Sequence, residues 1–145
     1  MNIARRQLPK PTFLDQLSQK IITDPLPIAV LWVEASLRPI WIRIAEYIYL
    51  KVCEAVAPNW AKQMTVGLAQ MKVWLWKDFV KTEFGRAPTI HDWEDPIINF
   101  YAVKWYLSQS KATHSLLDIS CVYTGQVNRY YAALLNEALA LLKES

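Results

Sequence analysis

Few side chains in this sequence are spaced for covalent or metal chemistry. His91 and His114 are 23 residues apart, and neither has a second ligand at the i+3 or i+4 spacing that a helical metal site needs. His91 and Asp92 are adjacent, and neighbouring helical residues point about 100° apart, so they form no dyad. There is no glycine-rich phosphate loop and no nucleophile elbow. Cys53 and Cys121 each stand in an apolar stretch and read as reduced core residues. The expectation is a chain that is not an enzyme, with no metal, no cofactor and no small-molecule substrate.

Side chains suited to recognition are better placed. Gln126, Asn128 and Arg129 are base-reading types, since amides pair with adenine edges and guanidinium with guanine, while Lys111 and Arg86 are candidates for phosphate contacts. Gln126, Asn128 and Arg129 belong to a short helix, a turn at Gly125 and a longer helix within Thr113 to Leu139, the order of elements in a helix-turn-helix. Cys121 supplies a small residue four before the glycine, and Tyr131 and Leu134 supply apolar residues six and nine after it. Thr124 and Gln126 depart from that motif by being polar beside the turn, and Glu137 faces the same way as the basic groups. A plain helical hairpin closing a bundle is the preferred reading of this segment, and duplex DNA binding the alternative.

Residues Phe84 to Trp93 contain Gly85-Arg86-Ala87-Pro88-Thr89, which resembles the Gly-Arg-x-Pro-Thr segments that lead into small helices in sigma factors and in helical repeats associated with homing endonucleases. The resemblance implies a turn with Thr89 as helix N-cap and Arg86 free to contact a phosphate or a carboxylate. A third cluster interleaves Trp74, Trp76 and Phe79 with Lys72, Lys77 and Lys81. Trp74 lies around the helix from the buried stripe, so Trp74, Lys77 and Lys81 make a candidate partner surface, with burial against a second helical layer as the alternative.

These groups must be carried by helices. The chain has 145 residues, is 53% apolar and 12% aromatic, and contains only three glycines. Hairpins and barrels turn through positive-φ positions that glycine favours, so this scarcity argues for an all-α, multi-helix bundle with a helix-turn-helix-like C-terminal hairpin. Eight prolines divide the chain into permissible helices. Thr12 opens a short amphipathic helix, and Ile28 to Leu37 is apolar all round and reads as a buried helix or a buried strand. From Ile40 to Val56, helical geometry gathers Arg43, Glu46, Lys51 and Glu54 into an arc of about 140°. Trp41, Ile44, Ile48, Val52 and Val56 then form an apolar arc wide enough to need covering by other helices or a partner.

A long helix can run from about Asn59 to Phe84, where Gly67 marks either a close helix crossing or a local break. Further helices start at Pro96 and Ser115, and a final one runs past Gly125 to nearly the last residue. One helical domain is expected, divisible into a bundle over 12–84 and a hairpin over 96–145. The formal charge of +3 is spread along the chain, the longest uncharged apolar stretch is too short to span a bilayer, and the N-terminus is not a secretory signal, so a cytoplasmic protein is expected. Its expected function is non-catalytic binding, completed by a protein partner or by self-association through Trp41, Ile48, Trp74, Lys77 and Lys81. Peripheral membrane contact is a lesser alternative.

Overall fold

The computed structural model describes residues 8–21, 23–109, 115–124, 126 and 128–144. The fold is all-α apart from one very small hairpin. A 3-10 helix over Thr12–Lys20 is followed by α1 (Pro25–Leu37), α2 (Ile40–Val56) and α3 (Pro58–Ala61), then strands β1 (Thr65–Val66) and β2 (Met71–Lys72). Helices α4 (Val73–Phe84), α5 (Ile90–Glu94), α6 (Pro96–Gln109), α7 (Leu116–Thr124) and α8 (Arg129–Lys143) complete it.

The apolar segment that reads equally as helix or strand is a helix, and it is the core. Pro25 stands at the first helical position, where its missing N–H costs nothing, and every residue from Pro27 to Glu34 is buried. A helix apolar on all sides has to be surrounded, and α1 packs against α8, α6 and the 3-10 helix. Each fully buried Ile, Leu or Val there contributes about 1.5–3 kcal/mol. Helix α8 brings Tyr131, Leu135, Ala138 and Leu142 to this contact, and its N-cap is Asn128, whose Oδ1 accepts from the Tyr131 N–H at 3.0 Å. Leu8 and Pro9 are tied to the same core, Leu8 N–H donating to Glu137 and the Trp32 indole N–H donating to the Pro9 carbonyl.

The long helix expected from Asn59 to Phe84 is broken into α3, the hairpin and α4, and the break is at Gly67. Its φ is +84°, and a Cβ there would stand 2.9 Å from the Trp93 carbonyl oxygen. The loop between the strands docks tightly onto the rest of the chain. Leu68 N–H donates to that same Trp93 carbonyl, the Trp76 indole donates to the Val66 carbonyl, and Ala69 N–H donates to the Asn99 side chain at 2.9 Å. Asn99 is wholly buried, and its amide nitrogen donates to the carbonyls of Asp92, Trp93 and Asp95. One side chain therefore holds α5, α6 and the hairpin loop in register.

Two glycines separate strain from crowding. Gly85 closes α4 at φ +68° with open space around it, whereas Gly67 is both positive in φ and crowded. Gly85→Ala is expected to cost about 1 kcal/mol, and Gly67→Ala at least twice that, because the hairpin must also move off Trp93. Urea unfolding of the two variants measures the difference, and equal losses would show that Gly67 is required only for its backbone conformation.

Candidate functional site

The surface expected to bind a partner is exposed, and α2 is oriented opposite to a usual amphipathic helix. Its inward residues are Arg43, Tyr47, Leu50 and Cys53, which lie on the arc that carries the charges. Arg43 Nε donates to the Glu94 carboxylate at 2.9 Å and its Nη1 to the Arg38 carbonyl at 2.7 Å. Tyr47 also donates to Glu94 at 2.9 Å and stacks on Trp93 with ring centroids 5.6 Å apart. The polar arc is thus spent on anchoring the helix, and Ile40, Ile44, Ile48, Val52 and Val56 are left 50–75% exposed, with Trp41 at 70%.

On α4, Trp76 and Phe79 are core residues, while Trp74 is 44% exposed and shares the outer face with Lys77 and Lys81. Lys72 Nζ donates to Gln63. Arg86 makes a bidentate contact with Asp92, at 2.6 and 2.7 Å, so its partner within the chain is a carboxylate. Thr89 is the expected N-cap, in a capping box with Asp92. The Arg86 guanidinium holds the Asp92 carboxyl below its ordinary range. Gln126 and Arg129 are exposed, but Asn128 uses its side-chain oxygen as the α8 cap. Lys111, His114 and Gly125 lie outside the described residues. Cys53 is buried as expected, whereas Cys121 is exposed.

Sequence reading passed over the most perturbed carboxyl among these groups. Glu34 is the one charged residue in the buried run of α1, a turn before its end, and it is 8% exposed. Tyr131 Oη donates to Glu34 Oε1 at 2.7 Å across 97 positions of sequence. Burial raises the Glu34 carboxyl from 4.5 to about 7, opposed by the Tyr131 hydrogen bond and by Arg38, and assisted by the negative charge of Glu46. Glu46, on α2, is itself raised by burial and stands 3.4 Å from Arg38.

Glu34 opens into a cleft of about 240 Å³ whose walls include Arg38, Thr65, Gln70, Tyr123, Thr124, Asn128, Tyr130 and Tyr131. The hairpin supplies two of these walls. Gln70 has φ +49°, unusual for a residue with a side chain, and is held there by Thr65 Oγ1 donating to its Oε1 and by its own Nε2 donating to the Gly67 carbonyl. Tyr123 stacks on Tyr131, and its buried hydroxyl has no hydrogen-bond partner among the described residues. Strained backbone, an unpaired phenol and a carboxyl that titrates near neutrality converge on one concave place, a combination that marks functional sites. The only sequence signal was a lone glutamate in an otherwise apolar helix.

Because its folded pKa lies above the unfolded one, Glu34 lowers stability progressively as pH rises from about 4.5 through about 7. The full effect is on the order of 3 kcal/mol. Glu34→Gln keeps an acceptor for Tyr131 and removes the charge, so it is expected to melt several degrees higher than the parent at pH 8 and within a degree of it at pH 4.5. Calorimetry across pH checks this, and a gain that is the same at both pH values would mean that folding does not raise the Glu34 carboxyl. No family model, curated protein or solved structure matches the chain, so its functional reading rests on this geometry.

Proposed function

We propose that Glu34 is the general acid of a site that cleaves or transfers a glycosidic bond in a carbohydrate chain. The observation that carries the reading is a buried carboxyl, pushed up to about 7, at the wall of a cleft whose other lining is Leu37 together with amides, hydroxyls, phenols and one guanidinium. Neutral hydrogen-bonding groups beside aromatic rings suit a polyhydroxylated ligand, and the exposed Tyr130 ring offers a face for a sugar. An acetal requires its bridging oxygen to be protonated as the bond to the anomeric carbon breaks, so a positioned acid is the first requirement of that reaction. Ester or amide cleavage would call first for an activated nucleophile.

In this reading the Glu34 proton passes to the bridging oxygen, and the electron pair of the breaking bond leaves with that oxygen. Water or a hydroxyl of the sugar chain captures the anomeric carbon, and Glu34, now a carboxylate, takes the proton that the incoming oxygen releases. Tyr131 holds the carboxyl in place in both states through its donated hydrogen bond. This differs from the expectation of a non-catalytic chain, which weighed histidine, cysteine and glycine motifs and left a single buried glutamate aside.

Oligosaccharides of neutral and N-acetylated sugars, incubated with the protein and analysed by mass spectrometry, test the proposal. Cleavage should require protonated Glu34, so kcat/KM falls as pH rises through about 7, and Glu34→Gln should lose at least 100-fold. Intact oligosaccharides at pH 5 to 8, together with a parent and Glu34→Gln that bind them equally, would remove it.

A second reading, favoured by the exposed apolar face of α2, is a helical binding module completed by another chain. Duplex DNA contact through Gln126 and Arg129 is a separate alternative. It would show as affinity that falls steeply with salt and weakens in Arg129→Ala.

A further inference from the structure

We infer that the outer face of α2 is a two-fold interface with a second copy of this chain, independently of the chemistry proposed for Glu34. Ile40, Ile44, Ile48, Val52 and Val56 succeed one another at intervals of four and form one continuous ridge of β-branched side chains, all exposed. Trp41, Tyr49 and the nearby Trp60 extend the apolar surface on either side. Their summed exposed area is on the order of 900 Å², above the few hundred of the largest patch on most monomers.

The order of residues along the ridge points to the same kind of chain as its occupant. An isologous contact requires the surface to be complementary to itself when reversed, and this ridge is symmetric about Ile48. With two α2 helices antiparallel and the axis at Ile48, Ile44 meets Val52 of the second copy, while Ile40 and Val56, about 160° apart around the helix, flank the contact on either side. Trp41 then lies over Ala55, the bulkiest side chain of the face against the smallest, and Ala55 is exposed to receive it. A bilayer is a poorer occupant, because a membrane-surface helix turns a cationic face to the headgroups. Here the polar face of α2 points into the protein, where Arg43 is held by Glu94, and the exposed Lys51 is offset by Glu54 at 4.0 Å.

Sedimentation velocity between 1 and 50 µM is expected to give twice the 16.8 kDa chain mass. Ile48→Glu sets two carboxylates on the axis and should weaken the dimer at least 100-fold while leaving the circular dichroism unchanged. In a Cys121→Ser background, Ile48→Cys should oxidise to a cross-linked dimer, a result that does not depend on how well the glutamate variant folds. Glu34→Gln should keep the parent mass, so the interface and the acid site fail separately. A monomer at 50 µM, a dimer untouched by Ile48→Glu, or a monomer that floats with anionic phosphatidylserine vesicles would each overturn the inference.

Discussion

A carboxyl kept out of water inside the central helix is the constraint around which this structure is arranged. Glu34 interrupts the buried run of α1, and a polar group at that depth requires a partner, which Tyr131 supplies from α8. The hydrogen bond joins the first long helix to the last, while burial, working against the lowering effect of that bond, raises the carboxyl to about 7 at the edge of a cleft. The same burial that would favour an apolar residue on stability grounds raises the Glu34 carboxyl to about 7.

The cleft depends on a second polar anchor. Asn99, buried in α6, engages the loop after β1 through Ala69 and the end of α5 through three carbonyls. With the loop pinned, Gln70 is held at positive φ, and it and Thr65 become walls facing Glu34. The α5 end is also the anchor of α2, because Glu94 receives both Arg43 and Tyr47. Fixing the polar arc of α2 inward leaves its aliphatic ridge outward, so a half-buried ion pair and an exposed apolar face have one cause.

Much of the architecture was legible in local patterns. Pro25, Pro58 and Pro96 open helices, Gly85 closes α4 in the left-handed region, and Thr89 caps α5 through Asp92. The Gly67 break was one of two readings open in the sequence, because a helical stripe from Trp60 to Phe79 continues through it and period alone does not register a two-residue strand. The charge arc of α2 was also correctly grouped, but grouping did not say which side faces inward. The candidate acid was not legible, because one glutamate in an apolar helix has no spacing signature.

Sequence by itself determined the all-α class, most helix starts and stops and the presence of an apolar excess on α2, because propensity, proline sterics and hydrophobic period act within a few residues of each other. Tertiary structure alone decided that this excess faces outward, since that depends on Arg43 meeting a carboxylate 51 positions away. It also decided that the Glu34 carboxyl is raised to about 7, since a carboxyl is shifted by what surrounds it, and its hydrogen-bond partner is brought from 97 positions away.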